Sequence, residues 1–373
     1  MRILYISDSS IPSYSANGIH VMKMCQAWGE QGHAVTLLAK KTNACLDNVE
    51  DIFSFYGVTK CFEIKFFPSK PFSGSGRVYN LLLPFFSFGN FDLVYTRAIY
   101  PAFWYSLFGK PISFEIHEPF DTKSKWLANL FRFIVKREVV KKWVVISSPI
   151  KNYLIESFNI PQSEILVAHD GADEVDDSHG VFGLAPNEIH VGYVGSLLKG
   201  KGMDLIFELS KVLSNVNFHV VGGTEEQLLD WKNRTLPSQE LVFHGFIEHA
   251  RTVEYLKAFD ILIAPYKTEV FVKEESNSNN IAKWMSPLKI FEYMAVQKPI
   301  ITSDLEVIRE VLKNNESAIL CNPDNLQEWV NAINLLSSNP LEASKIAENA
   351  YRTFTNEFTW SKRAKNILNF IDR

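Results

Sequence analysis

Short apolar runs alternate with longer segments of helical period along this chain of 373 residues, and the alternation occurs twice. An apolar run between turn signals reads as a buried strand, and strands alternating with helices read as parallel βαβ units. The first series has runs at Ile3 to Ser7, Ala34 to Ala39, Asp92 to Thr96, Ile112 to Ile116, Trp143 to Ser147 and Ile165 to His169. Between the first two, the segment Ile19 to Gln31 puts Val21, Met24, Cys25 and Trp28 on one stripe, and Gly32 stops it. The second series has runs near His190 to Val194, Asn217 to Val221, Glu240 to His244, Ile261 to Ala264, Pro299 to Thr302 and Ala318 to Cys321.

A polar, acidic, glycine-containing break separates the two series from Gly171 to Pro186. Two doubly wound α/β domains in tandem follow, at residues 1–175 and 187–355, with a linker at 176–186. The tail reads as one or two helices, the last beginning at Trp360 and packing back on the N-terminal domain over 356–373.

Composition narrows the function. Lys and Arg total 38 against 42 Asp and Glu, so a net charge of -4 gives no field for gathering nucleic acid. Cys25, Cys45, Cys61 and Cys321 show neither zinc spacing nor a disulfide framework, which fits a reducing compartment. The opening Met1 to Ser10 lacks the form of a signal peptide, and no run reaches the ~20 apolar residues of a membrane span. A cytoplasmic protein is expected, with any membrane contact peripheral, at the inner face of the cell membrane.

The segment Val191 to Asp204 joins a strand to a helix through Gly195, Gly200 and Gly202, with Lys199 and Lys201 between. Such a turn exposes backbone N–H groups at a helix start, where an anion is favoured, although glycine for geometry and lysine for solubility would look the same. Gly195 to Lys201 matches the G-x-x-x-x-G-K of a P-loop, but Gly202 stands where a hydroxyl should meet magnesium, which disfavours an NTPase. A second candidate anion site begins at Ser286-Pro287, which reads as an N-cap and a first helical residue, leaving N–H groups free at Leu288 and Lys289. Glu292, one turn on, is placed to bond a polar group beside a phosphate, or else simply to complement the helix dipole. The turn after the first strand, Asp8 to Gly18, lacks G-x-G-x-x-G, which disfavours a dehydrogenase.

In their order and spacing these segments resemble the retaining glycosyltransferases of glycosyltransferase family 4, which have the GT-B fold of two Rossmann-like domains facing a central cleft. The resemblance covers nearly the whole chain. It is carried by Met1 to Ser7 with Gly18 and Gly32 to Val35, by Asp92 to Arg97, Phe114 to Glu118 and Asp170 to Asp173. In the second half Gly195 to Asp204, Val242 to Phe246, Asp260 to Pro265 and Ser286 to Ala295 carry it.

The resemblance implies a hexose-type transferase using a nucleotide-sugar donor, UDP-linked before GDP-linked, and a glycan or lipid-linked acceptor, with no metal or other cofactor. Lys201 would bind the donor diphosphate with the Gly195-Ser196 turn and the Ser286-Pro287-Leu288-Lys289 helix start. The backbone of Gly245, Phe246 and Ile247 would meet the base, Glu292 the ribose, and Gly18 the diphosphate or acceptor. His117, with Glu118 as an orienting partner or a solvated neighbour, would reach towards the donor sugar. In such enzymes no protein nucleophile is firmly assigned, and a donor phosphate oxygen is thought to help deprotonate the acceptor.

Two departures matter. The first acid of the family's glutamate pair, eight residues before Glu292, is Trp284 here, in a longer loop with Glu274, Glu275 and Ser276 to Asn280. The basic residue often found after the Gly195 equivalent is Ser196, which leaves Lys201 to supply the charge with Lys199 or Lys289. A sugar-nucleotide epimerase and a catalytically silent sugar-nucleotide-binding module stand as alternatives. Separately, Lys123 to Lys142 holds seven basic residues and one acid among Trp126, Leu127, Leu130, Phe131 and Ile134. It reads either as a basic amphipathic helix for an anionic membrane or as an ordinary domain helix.

Overall fold

The computed structural model describes residues 1–67, 72–120, 124–176, 180–235, 240–271 and 280–373. Lys123, Asp177 to His179 and the loop residues Glu274 to Asn279 lie outside the described residues. The chain divides into two compact units, one of Met1–Asp170 with Trp360–Arg373 and one of Gly171–Thr359.

The first unit holds strands β1 (Arg2–Ser10), β2 (Ala34–Lys40), β3 (Glu63–Phe66), β4 (Leu93–Thr96), β5 (Ile112–Ile116), β6 (Val140–Val145) and β7 (Ile165–Val167). Its helices are α1 (Ala16–Glu30), α2 (Ile52–Phe55), α3 (Ser75–Ser87), α4 (Ile99–Leu107), α5 (Lys125–Lys136) and α6 (Ser148–Phe158). The strands form one parallel sheet in the order β3-β2-β1-β4-β5-β6-β7.

The second unit holds β8 (Ile189–Val194), β9 (Val216–Val221), β10 (Leu241–Gly245), β11 (Ile261–Ala264), β12 (Ile300–Ser303) and β13 (Ile319–Cys321). Its helices are α7 (Met203–Val212), α8 (Glu225–Arg234), α9 (Thr252–Ala258), α10 (Leu288–Ala295), α11 (Glu306–Arg309), α12 (Leu326–Ser338) and α13 (Pro340–Thr353). The sheet order β10-β9-β8-β11-β12-β13 is again wholly parallel. A last helix, α14 (Trp360–Ile371), returns to the first unit and packs on α1, where Trp28 Nε1–H donates to Ala364 O at 3.1 Å.

In both sheets the chain order reverses beside the first strand, between β1 and β4 and between β8 and β11. The crevice beyond the carboxyl ends at such a point is where open α/β sheets hold ligands. The local chemistry agrees with the elements. Ser15 caps α1 by accepting from Gly18 N–H, and Gly32, at φ 84°, turns the chain into β2.

Three sequence expectations need correction. The segment expected as a linker at 176–186 lies, in its described part, within the second unit, where Phe182 stacks on Tyr255 with centroids 4.4 Å apart and His190 bonds Ala185 O. The basic stretch is not one helix: α5 ends at its C-cap Arg137, Glu138 takes the left-handed φ of 53°, and Lys141 and Lys142 belong to β6. The third strand was missed, since Glu63-Ile64-Lys65-Phe66 lies at a sheet edge with no fully buried residue and so carries little apolar signal.

Candidate functional site

In the second unit the switch point is built by the β8–α7 turn and the start of α10. Gly200 and Gly202 are dictated by close approach and by left-handed backbone. A Cβ on Gly200, at φ 82°, would stand 1.8 Å from Glu269 O, and one on Gly202, at φ 98°, would stand 2.1 Å from Pro265 O. Gly202 is also the N-cap of α7, so the missing P-loop hydroxyl has a physical reason: serine has no room there. The N-caps of these helices, Gly202 for α7 and Pro287 for α10, have no side chain that could bond the first turn. The cap of α10 is Pro287 and its first residue Leu288, one position later than the sequence suggested, because Pro287 is extended at ψ 116°.

Lys289 decides the character of this place. Its Nζ is sealed from solvent and has no hydrogen-bond partner among the described residues. It lies 3.6 Å over the centroid of Tyr193 and 5.3 Å from that of Tyr266, while Lys201 Nζ lies 5.6 Å from the same Tyr266 ring. It also reaches the turn itself, since a Cβ on Gly195 would be 2.6 Å from it. Burial and the neighbouring Lys201 charge push the Lys289 ammonium well below the ordinary lysine range, against an opposing pull from Glu292. Burial brings Lys201 down to about 8. Two ammonium groups held together on aromatic faces are unfavourable without an anion between them.

Glu292 is half-buried and 2.8 Å from His249 Nε2. His249 follows the Gly245-Phe246-Ile247 segment, where Phe246 is exposed and Ile247 packs on the core. His249 was missed in the sequence, because a contact across 43 residues leaves no local pattern. Ser196, exposed, offers its carbonyl to Tyr193 OH at 2.7 Å, and Ser286 is buried. Gly195 N–H is already used by Val221 O at 2.9 Å. Tyr293 locks α10 to β8 by accepting from Val194 N–H at 2.9 Å, which fixes Lys289 and Glu292 relative to the turn.

The first unit has a different centre at its switch point. The Glu115 carboxylate takes Arg363 Nη2 at 2.9 Å, His117 Nε2–H and Tyr95 OH, with His20 Nε2 at 3.1 Å. Burial pushes this carboxyl up, but the Arg363 guanidinium and the two neighbouring imidazoles outweigh it and hold it well below the usual range. Arg97 Nη2 donates to His117 Nδ1 at 2.8 Å, so His117 keeps the Nε2–H tautomer, and burial with the Arg97 charge brings it to about 4. His117 is thus a neutral imidazole with both ring nitrogens engaged. Contact of either nitrogen with a sugar requires exchange of one of these bonds. Its orienting acid is Glu115, not Glu118. His20, Asp170 at 2.8 Å from it, and Arg363 on α14 were not legible as site residues.

His20, Glu115 and His117 bring ligand atoms within 4.8 Å of one another, as a metal would need. The guanidinium groups of Arg363 and Arg97 already occupy this centre with positive charge, which fits a hydrogen-bonded network better than a cation site. Gly18 is explained by packing: its N–H caps α1, and a Cβ there would stand 2.6 Å from Tyr56 OH. His219 and His244, with His190, form a hydrogen-bonded row across β8, β9 and β10 that serves the sheet.

Two family models match the chain: Glycosyltransferase Family 4 over residues 18–175, and Glycosyl transferases group 1 over 174–353. The chain belongs to the glycosyltransferases of the GT-B fold. An uncharacterised glycosyltransferase, MJ1607, of Methanocaldococcus jannaschii is 21% identical over 242 residues, 61% of this chain and 58% of that one. An alpha-galactosylglucosyldiacylglycerol synthase of Streptococcus pneumoniae is 23% identical over 197 residues, 51% of this chain and 47% of the other. The chain thus spans about half the length of these relatives. Anabaena Alr3699/HepE, solved in complex with UDP, shares the fold at a TM-score of 0.70, with 15% identity and both chains wholly covered.

Two outcomes follow for the glycosyltransferase. Lys201 is charged below about pH 8. Its depressed folded value costs stability there, and the cost fades as pH rises from about 8 towards the ordinary ~10.4. A phosphate anion lifts that value, so UDP affinity should fall as pH rises above 8, with proton uptake on binding near pH 9. Titration calorimetry in buffers of different ionisation enthalpy would refute this if affinity stayed flat and no proton moved. His249→Ala should raise the donor KM about 3- to 10-fold, as expected for one partly exposed charge-assisted bond, with a smaller change in kcat. His249→Gln should recover part of it, and an unchanged KM would remove the coupling.

Proposed function

We propose that this glycosyltransferase moves a hexose-type sugar, with retention, from a nucleoside diphosphate donor, a UDP-sugar before a GDP-sugar, to a glycan or lipid-linked acceptor in polysaccharide or glycoconjugate synthesis. No metal or other cofactor takes part. The observation that carries the reading is the buried Lys289 ammonium, without a hydrogen-bond partner among the described residues, beside Lys201 at the starts of α7 and α10.

In the reaction the bond from the sugar C1 to the diphosphate oxygen breaks and a bond from the acceptor oxygen to C1 forms. The acceptor proton passes to a leaving phosphate oxygen. Charge therefore develops on the diphosphate, and ammonium groups already fixed in place stabilise it more in the transition state than in the bound donor. Lys201, Lys289, the Gly195-Ser196 turn and the Ser286-Pro287-Leu288 start would hold the diphosphate. Glu292, set by His249, would take the ribose hydroxyls, and Phe246 and Ile247 the base. Trp284 stands eight residues before Glu292, with Lys283 Nζ 4.9 Å over its ring. His117, neutral near pH 7, would act as a fixed polar wall, not as a base. UDP is favoured by the UDP complex of the solved relative, and a lipid-linked acceptor by the diacylglycerol named for the curated one.

Incubation with a panel of UDP- and GDP-sugars and glycan or lipid-linked acceptors, read by NMR of the new anomeric bond, tests this. A product with the donor's anomeric configuration is expected. An epimerised donor without transfer would make the protein an epimerase. Binding with neither transfer nor slow hydrolysis would make it a silent module.

A further inference from the structure

Strand β3 ends the first sheet, and among the described residues no strand pairs with its outer edge. Just past β3, Phe67 N–H bonds Ala39 O of β2. Successive residues of a strand turn their backbone groups to opposite sides, so the N–H and C=O of Ile64 and Phe66 face outwards. Such an edge is a template for another strand, and proteins ordinarily blunt it with charge, proline or a covering element. The segment Phe62-Glu63-Ile64-Lys65-Phe66 has no proline, and its two charges are opposite. Glu63 and Lys65 are exposed and 3.1 Å apart, whereas Ile64 and Phe66 are half-buried.

The order of these residues identifies the strand that fits. Run antiparallel against itself about a two-fold axis at Ile64, the segment sets Ile64 opposite the second copy's Ile64, Glu63 opposite its Lys65 and Phe62 opposite its Phe66. Each cross-strand pair is then apolar on both sides or opposite in charge, the kinds that stabilise a ladder. Ile64, with its backbone groups turned outwards, meets its mate as a hydrogen-bonded pair. Other registers fail. An axis at Glu63 or at Lys65 would oppose like charges, and a slip of one residue would set a charge against Ile64. A lone lysine on an edge repels its own copy, but here the symmetry gives Lys65 an acid to face.

The flank of the strand suits the same occupant. A cavity of about 800 Å³ beside it is lined by Ile52 and Phe53 of α2 together with Phe62, Ile64 and Phe66. Phe62 packs on Phe53 with centroids 5.1 Å apart. Rings brought opposite Phe62 and Phe66 extend this apolar lining, so the contact is more than a backbone ladder.

We propose that the protein forms a two-fold dimer in which β3 pairs antiparallel with β3 of a second copy, joining the two first-unit sheets into one. This does not depend on the nucleotide reading.

The test is light scattering of the full chain across a range of concentrations. A species of twice the 42.6 kDa chain mass is expected. Glu63→Lys makes both charged positions basic, and Lys65→Glu makes both acidic. Each variant alone sets like charges opposite and should weaken the dimer about 10- to 100-fold. An equimolar mixture of the two variants has opposite charges at every pair and should regain the dimer, with one chain of each, which also shows that both variants fold. A monomer at every concentration overturns the proposal. So does a dimer that neither single variant weakens, or a mixture that stays monomeric.

Discussion

Lys289→Met should raise the melting temperature of the second unit and at the same time weaken UDP binding about 10- to 100-fold. Both effects come from one cause. In the free protein the buried ammonium has no hydrogen-bond partner among the described residues and is pushed towards its neutral form by burial and by Lys201. Methionine fills similar volume without that penalty, which predicts a gain of about 1–3 kcal/mol. With a diphosphate bound, the same ammonium becomes half of a charge-assisted pair worth about 1.5–3 kcal/mol, and the substitution forfeits it. A lysine retained for packing would lose stability and leave affinity unchanged, so the opposite signs separate the roles. Calorimetric melting with and without UDP reads both at once, and a loss of stability with unaltered affinity would defeat the assignment. Trading stability for an uncompensated charge is a common property of binding sites.

The second large effect lies in the first unit. Arg363→Met should destabilise it by about 3–5 kcal/mol, because Glu115 would remain buried without its main counter-charge. Arg363 is 3% exposed and also bonds the carbonyls of His169 and Ala168, so a helix at the chain's end anchors strand ends near its middle. Adding Glu115→Gln should return much of the loss, since both charges are then gone, and the shortfall from additivity measures their coupling. Additive losses in chemical denaturation would refute the pairing. The network is also acid-sensitive. The His117 value falls in the fold and the Glu115 value falls as well. In both cases the unfolded chain takes up protons first, so stability is lost as pH drops from about 6.5 through 4.

Much of the fold could be read from the sequence because buried parallel strands are nearly continuous apolar runs. Ile112–Ile116 and Ile261–Ala264 have the bounds their runs suggested. Glu63–Phe66 escaped notice because an edge strand buries little. The diphosphate side of the candidate site was legible for a similar reason. Glycines that must take positive φ and a proline at a helix start are local signals, and Lys289 lies two residues after that proline. Charge burial has no such signal. Glu115 and Arg363 are 248 residues apart and His20 and Asp170 are 150 apart, and each alone looks like a solvated surface residue. Periodicity marks apolar faces, so a polar group turned inward registers only when its partner is known. For His117 the strand-end position pointed to a polar site, while its bonds to Arg97 and Glu115 were invisible.

Titration calorimetry comparing UDP with uridine, on the wild-type chain and on Lys201→Ala with Lys289→Met, tests the central claim most directly. The claim predicts that the wild type binds UDP at least about 100-fold more tightly than uridine and that the double variant loses most of that difference, since only the diphosphate meets the two lysines. Equal affinity for UDP and uridine, or a preference for UDP that survives loss of both lysines, would contradict it.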